Sequence, residues 1–424
     1  MNKKRVLVFP CGSEIGLEVY NSVKDSTYFE LFGLSSIDDH GKFVYENYIQ
    51  EIGFITEKDF ISKLNDIILK YKIDIVYPTM DSVIAFLKRN EKIISVPVLG
   101  SNLDTALICE SKLLTYGCLQ DVVRCPRMYK ANEYLDDFPM FVKPIIGYGS
   151  RNTFKVTQSS QIVDLDFKNN LLLEFLPGEE YTIDCFTDMD GELKFIGPRK
   201  RAKIVNGISV STASNDEIIN EFYPIAEKIN SRIKFTGSWF FQMKRNINNE
   251  LTLLEVACRF AGSSSVHRIR GVNFALSNLF IHFGFKIDFI INQFNVELNR
   301  ALNSSYKIDI SYDCVYIDFD DTILINQQIN TDSIAFLYQC LNEKIKLILI
   351  TKHSKSINET LEKYKLNQIF DYIVHLKNND EKYKHITLDN KPIFIDDSFS
   401  ERKKVFDKFK IPVFSVDAIP SLIR

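Results

Sequence analysis

No Cys-x-x-Cys pair occurs among the eight cysteines of this 424-residue chain, so neither a zinc cluster nor a disulfide framework is suggested. The thiols read as buried or incidental groups of a reducing cytoplasm. No apolar run approaches the ~18 residues that a membrane span needs. The opening MNKKRVLVFPCG has a basic start but no signal-peptide core, and it reads as a first buried strand. The formal net charge of −3 supplies no basic field for nucleic acid or acidic membranes. Repeats, low-complexity tracts and coiled-coil heptads are missing. So are the commonest phosphate loops: Gly12 and Gly16 fall short of a full GxGxxG, and no loop ends in Gly-Lys-Ser/Thr. What remains is an ordinary soluble composition, 45% hydrophobic and 25% charged, with length for two or three domains.

The most informative stretch is LLLEFLPGEEYTID, from Leu171 to Asp184. An apolar run ends in Glu174, Phe175 and Leu176. Pro177-Gly178 turns the chain, and Glu179 and Glu180 open a new alternating strand. A hinge of this kind offers bare backbone groups to an adenine edge, with a carboxylate nearby for ribose hydroxyls. The same letters also describe a hairpin with an acidic shoulder.

Upstream, KRVLVF, FELFGLSS and IDIVYPTMD read as strands alternating with helices, the pattern of an open, doubly wound parallel α/β layer. Thr79 and Asp81 lie just past a strand's carboxyl end, a ligand position or a helix-capping turn. From Asp104 one helix is predicted through TALICESKLLTYGCLQD, with Lys112 either solvated or reaching a phosphate. Met140–Val142 is a short strand that Lys143 ends. The following loop holds Gly147, Gly149 and Ser150 before the chain returns at Thr153. Backbone amides of such a loop can close on phosphate oxygens, with Lys143 adding charge. Arg199, Lys200, Arg201 and Lys203 form either a solvated run or a phosphate-neutralising cluster. Gln242 and Glu255 fall on antiparallel strands joined by a turn at 246–250, and two hard oxygen donors there suit Mg²⁺. Arg259 and the Gly262–Ser265 loop follow. His267, Arg268 and Arg270 could hold an acid or form a solvated helix face.

In this order, VKPIIGYGS, EFLPGEEYTID, FFQMK and LLEVACRFAGSSS resemble the ATP-grasp superfamily, in particular carboxylate–amine ligases related to the carbamoyl-phosphate-synthase large chain. The resemblance covers residues 1–300. It implies phosphate-contacting roles for Lys112 and Lys143, an adenine hinge at Glu174, Phe175 and Leu176, and a ribose acid at Glu180. Gln242 and Glu255 become metal-side residues, and Arg259 stabilises an acyl-phosphate transition state, helped by Arg199 and Arg201. The family usually reads Glu-x-Asn-x-Arg, whereas Ala257 stands here at the Asn position and cannot coordinate.

The last block, 305–424, begins afresh. CVYIDFDDTIL, LILITKHS and PIFIDDSFSER are apolar strands, each ending in polar residues. Asp318, Asp320 and Asp396 would collect at one sheet end, where clustered carboxylates need a cation. Repeated acidic helix caps are the plainer alternative. The block resembles haloacid-dehalogenase-like phosphohydrolases: DFDDT matches DxDxT, Thr351 the second motif, Lys384 or Lys382 the third, and Asp396-Asp397 the fourth. The match implies Asp318 as nucleophile, Asp320 as general acid/base, Thr351, Lys352 and Lys384 as phosphate binders, and Asp318, Asp320 and Asp396 around Mg²⁺, with Asp397 as an assisting residue. Only 28 residues separate Thr322 from Thr351, too few for a large cap domain.

The expectation is therefore a cytoplasmic multidomain α/β enzyme. It comprises a pre-ATP-grasp open parallel α/β domain (1–104), an α+β ATP-grasp domain (105–304) and a Rossmann-like phosphohydrolase domain without a large cap (305–424). ATP and Mg²⁺, with Mn²⁺ as a substitute, are the implied cofactors. A carboxylate, an amine and a phosphorylated metabolite are the implied partners, without nucleic acid or membrane. A homo-oligomer is compatible with the sequence. The competing expectation is a nucleotide-binding regulatory module joined to an active phosphatase.

Overall fold

Neighbouring residues of the first strand, Lys4–Phe9 (β1), feed two different cores. Val6 and Val8 face one apolar cluster, and Leu7 and Phe9 the other. A strand buried on both faces belongs inside a parallel layer covered on each side, and burying each such side chain stabilises the fold by about 1.5–3 kcal/mol. The computed structural model describes residues 3–50, 52–130, 138–147, 152–205, 208–301, 305–306 and 308–423, with side chains 202–205 and 208–209 left aside. It divides into two compact units, Met1–Leu302 and Asn303–Arg424.

The first unit opens with β1, helix Glu14–Val23 (α1), Phe29–Leu34 (β2), Asn47–Ile49 (β3), helix Phe60–Tyr71 (α2), Ile75–Pro78 (β4) and helix Asp81–Arg89 (α3). The strands form a parallel sheet in the order β3-β2-β1-β4. The Gly-bearing turn after β1 serves packing. A Cβ on Gly16 would lie 2.3 Å from the Cys11 carbonyl oxygen, while Ser13 caps α1 by accepting from the Gly16 amide at 3.0 Å.

The helix predicted from Asp104 is broken. Leu103–Glu110 (α4) and Lys112–Leu119 (α5) meet at Ser111, which is extended (φ −109°, ψ 113°) and accepts from the Leu114 amide. No Gly or Pro marks the break. A serine side chain that replaces a backbone partner suffices, and it makes Lys112 the first residue of α5.

Two antiparallel sheets follow. Met128–Tyr129 (β5), Met140–Pro144 (β6), Phe154–Val156 (β7) and Asn170–Glu174 (β8) form the smaller, in the order β5-β8-β6-β7. The larger contains Glu180–Thr187 (β9), Leu193–Val205 (β10), Ile208–Ser214 (β11), Gly237–Arg245 (β12), Leu251–Ala257 (β13) and Glu297–Asn299 (β14), in the order β13-β12-β9-β10-β11-β14. Helices Ile219–Arg232 (α6), Ser265–Ile269 (α7) and Phe274–His282 (α8) complete the unit. Strands β8 and β9 lie in different sheets, so residues 175–179 are an inter-sheet hinge and not a hairpin. Gly178 is required there, because a Cβ would meet Arg245 Cβ at 2.7 Å and its carbonyl oxygen at 2.8 Å. The expected boundary near residue 104 does not divide the unit: Val6 and Val8 share a core with Phe186, Phe195 and Phe274.

The second unit is built on Cys314–Ile317 (β15), a small hairpin of Leu324–Ile325 (β16) and Gln328–Ile329 (β17), and helix Thr331–Asn342 (α9). Lys346–Thr351 (β18), helix Ile357–Lys363 (α10), Tyr372–His375 (β19), Pro392–Ile395 (β20), helix Phe399–Phe409 (α11) and Val413–Phe414 (β21) follow. Its five-stranded sheet, β19-β18-β15-β20-β21, is parallel throughout. Val315 and Ile317 pack with α9 and α10 on one face, and Cys314 and Tyr316 with α11 on the other.

Candidate active sites

Between the two antiparallel sheets of the first unit lies a cavity of about 160 Å³ lined by Lys112, Lys143, Gly147, Glu174, Phe175, Leu176, Glu180, Arg201, Gln242, Lys244 and Glu255. The break before α5 lets the Lys112 amide donate to Ile145 O at 2.9 Å and its ammonium to Gly147 O at 3.0 Å. Lys143 projects from β6. Its side chain is partly buried in area, yet its ammonium lies deep enough for desolvation to dominate. Burial pushes its pKa down to about 8, with Lys112 and Lys244 adding and Glu255 and Glu180 opposing. Gly149 and Ser150 lie outside the described residues.

At the hinge, the Glu174 carboxylate is already partnered. It accepts from Arg124 at 3.0 and 3.4 Å and from the Arg127 amide at 3.2 Å. No hydrogen bond to the backbone of Phe175 or Leu176 occurs among the described residues, which leaves those groups to a ligand. Glu180 opens β9 and pairs with Arg201 Nη1 at 2.5 Å and with Lys244 Nζ at 3.6 Å. Arg201 also donates to Gln242 Oε1 at 3.2 Å.

The alternation of β10 sorts the basic cluster. Lys200 turns outward to Glu179, while Arg199 and Arg201 turn inward. Arg199 is fully buried, with Nε on Asp184 at 2.5 Å and Nη1 on Ser263 Oγ at 2.7 Å. Burial raises the Asp184 carboxyl, but Arg199 and His267 outweigh it and hold the carboxyl below the usual range. The Lys203 side chain is outside the described set.

A second cavity of about 960 Å³ shares Lys112, Gly147, Arg201, Gln242 and Glu255 with the first. It extends to Ser13, Thr79, Asp81, Ala257, Arg259 and Ser263. Thr79 Oγ1 donates to Pro10 O at 2.8 Å. Asp81, in the first turn of α3, takes the Arg259 guanidinium in a two-pronged pair at 2.8 and 2.6 Å. His267, Arg268 and Arg270 do not line it: His267 is buried on Asp184, Arg268 pairs with Glu18 at 2.7 Å, and Arg270 pairs with Asp216. Gln242 and Glu255 are register partners on β12 and β13. They offer two oxygen donors, and Ala257 adds none. This set fits a Mg²⁺ ion that completes its shell with phosphates and water, not one caged by protein.

In the second unit, Asp318, Asp396 and Asp397 place ligand atoms within 4.8 Å of one another at the carboxyl edge of the parallel sheet. Lys382 Nζ bridges Asp318 at 2.8 Å and Asp396 at 2.7 Å. Burial pushes Asp318 up to about 7, Lys382 opposes, and Asp396 reinforces. Carboxylates so strained by burial and mutual repulsion fit a divalent cation. Two expectations need correction. Lys382, buried in the single-turn helix Lys382–His385, is the lysine of the cluster, while Lys384 is exposed. The Asp320 carboxylate is held by His353 Nδ1 at 2.9 and 3.0 Å, so Asp397 and not Asp320 completes the acidic group. Thr351 is buried and its Oγ1 accepts from the His353 amide at 3.2 Å, while Lys352 is tied to Glu401 at 2.9 Å.

These features define a mixed α/β protein whose first unit carries an ATP-grasp fold. Residues 166–289 match a family model described as ATP-grasp in the biosynthetic pathway with Ter operon. Among solved structures, the chain is similar to pyruvate carboxylase from Rhizobium etli, with 12% identity and a TM-score of 0.57 over 68% of this chain. It spans only 29% of that protein's length. The biotin carboxylase domain of Hydrogenobacter thermophilus 2-oxoglutarate carboxylase, a dimer in complex with MgADP, ADP and bicarbonate, matches at 12% identity and TM-score 0.56, covering 67% of this chain and 70% of that one. L-amino acid ligase from Bacillus licheniformis matches at 15% identity and TM-score 0.53, covering 66% and 73%. No curated protein sequence matches. No helix among the described residues is long and apolar enough to cross a membrane.

Proposed function

We propose that the chain is a two-site enzyme. The first unit is an ATP-dependent carboxylate–amine ligase, and the second is a haloacid-dehalogenase-like phosphohydrolase. The observation that carries the first half is the convergence of Lys112, Lys143, the free backbone at 175–176, Glu180, Gln242 and Glu255 on one cavity that opens into a larger one. The base would lie against the hinge, the ribose near Glu180, and the phosphates against Lys112 and Lys143. A substrate carboxylate oxygen attacks the γ-phosphorus and ADP leaves; the amine nitrogen then attacks the acyl carbon and phosphate leaves. Arg201, Arg199 and Arg259 are already compensated by Glu180, Asp184 and Asp81, so Lys112 and Lys143 are the cations that meet new negative charge, and Arg259 joins them only when Asp81 releases it. Mg²⁺ beside Glu255 and Gln242 would offset phosphate charge during transfer.

In the second unit, the Asp318 carboxylate would attack the phosphorus of a phosphate ester while the alcohol leaves with a proton from Asp320, and water deprotonated by Asp320 would then release phosphate from Asp318. Lys382 and Thr351 would hold the phosphoryl oxygens, and His353 orients Asp320. Mg²⁺ among Asp318, Asp396 and Asp397 would supply compensating positive charge. Joining both sites in one chain raises the effective concentration of a shared metabolite.

Ala257 favours a second reading, in which the first unit binds nucleotide without turnover and regulates the phosphatase. Incubation of the Asp318→Asn chain with ATP, Mg²⁺ and panels of acids and amines separates the two. Acid-dependent ADP release supports the ligase. Nucleotide binding without ADP release across the panel supports the regulatory module.

A further inference from the structure

Arg259 presents a planar fork suited to a carboxylate or phosphate, but in this structure an internal carboxylate already fills it. Nε and Nη2 donate to the two oxygens of Asp81 at 2.8 and 2.6 Å, across 178 positions of sequence. That two-pronged geometry is the one by which arginine recognises a carboxylate ligand. Both residues line the larger cavity, and neither side chain is fully buried. Each can also stand without the other. Asp81 occupies the first turn of α3, where the N-terminal end of the helix favours negative charge, and the residue before it supplies no side-chain cap. Arg259 keeps a bond to Phe260 O at 3.2 Å and lies over the Phe240 ring at 5.4 Å.

We propose that Asp81 is a specificity-determining residue that stands in for the substrate's carboxylate, occupying the Arg259 fork until an incoming acid displaces it. This rests on the ligase reading of the first unit. Only acids whose carboxylate out-competes Asp81 in geometry enter productively, and the guanidinium is not left bare to stray anions.

The test uses the full-length chain, with acetate and inorganic phosphate as probes. Affinity is followed on the Arg259 Nε–H NMR signal, identified by its loss in Arg259→Gln, and by calorimetry where that signal is absent. In Asp81→Asn and Asp81→Ser, both probes bind about tenfold tighter, the gain expected when a site free about one-tenth of the time becomes free throughout. The gain disappears when Arg259→Gln is added. Unchanged affinity, or an equal gain in the Arg259→Gln background, overturns the proposal, because the effect is then absent or merely the loss of a negative charge. Loss of the cooperative melt in both variants also overturns it, since a latch that opens for substrate cannot be the strut that holds the fold. ADP binding by the unsubstituted chain is measured separately: its failure sinks the ligase reading, while the acetate comparison still reports on Asp81.

Discussion

The two candidate sites handle charge in opposite ways. In the first unit, Arg199, Arg201 and Arg259 each carry a carboxylate partner, and among the described residues Lys112 and Lys143 form no ion pair. What is left over is positive, and its natural complement is a polyanion such as a triphosphate. In the second unit, two of three clustered carboxylates share one buried lysine, and what is left over is negative. Its complement is a cation. A pocket's ligand is therefore read better from the charges that the fold leaves uncompensated than from the number of charged residues it contains.

The sharpest way to break this contrast is Asp318→Asn. Hydrolysis of p-nitrophenyl phosphate should fall by roughly a thousandfold or more, as expected for a lost nucleophile, while ATP binding is unchanged. Next, Lys382→Met should abolish that hydrolysis and Lys384→Met should leave it within about twofold, the ordinary reach of an exposed charge; equal effects would undo the assignment of the bridging lysine. Lys143→Met should weaken ATP binding by roughly a hundredfold, the value of one or two charge-assisted hydrogen bonds. The same change should not lower the melting temperature of the ligand-free chain, because a costly buried ammonium is removed.

The smallest effect concerns protons. Lys143 has a folded pKa of about 8, below the value of about 10.4 for an unperturbed lysine. Between those values the unfolded chain binds more protons than the folded one, so stability rises with pH across that window. ATP phosphates would pull the pKa back up. Calorimetry in buffers of different ionisation enthalpy should thus show proton uptake on ATP binding near pH 8.5 and little near pH 6.5. No difference between the two would remove Lys143 from the phosphate side of the cavity.

The second site was the more legible in sequence because its acids sit at the ends of neighbouring parallel strands, and each strand announces itself as a short apolar run. Which lysine serves it was not legible: Lys382 and Lys384 lie in one helical turn, and only packing buries the first. In the first unit the strand–hinge–strand reading of 171–184 gave the elements but not their separation into two sheets, since sheet membership is set by long-range partners. The pairing of Gln242 with Glu255 was foreseeable from a single tight turn. The Asp81–Arg259 pair was not, since no local pattern links α3 to the end of β13. The break at Ser111 had a signal, a capping side chain three residues before Leu114, but the apolar periodicity runs through it.

The most direct measurement is a crystal structure of the full chain with Mg²⁺ and a non-hydrolysable ATP analogue. The account predicts the base against the backbone of Phe175 and Leu176, the ribose at Glu180 and the phosphates on Lys112 and Lys143. A nucleotide found elsewhere, or that cavity closed and empty at saturating analogue, would contradict it.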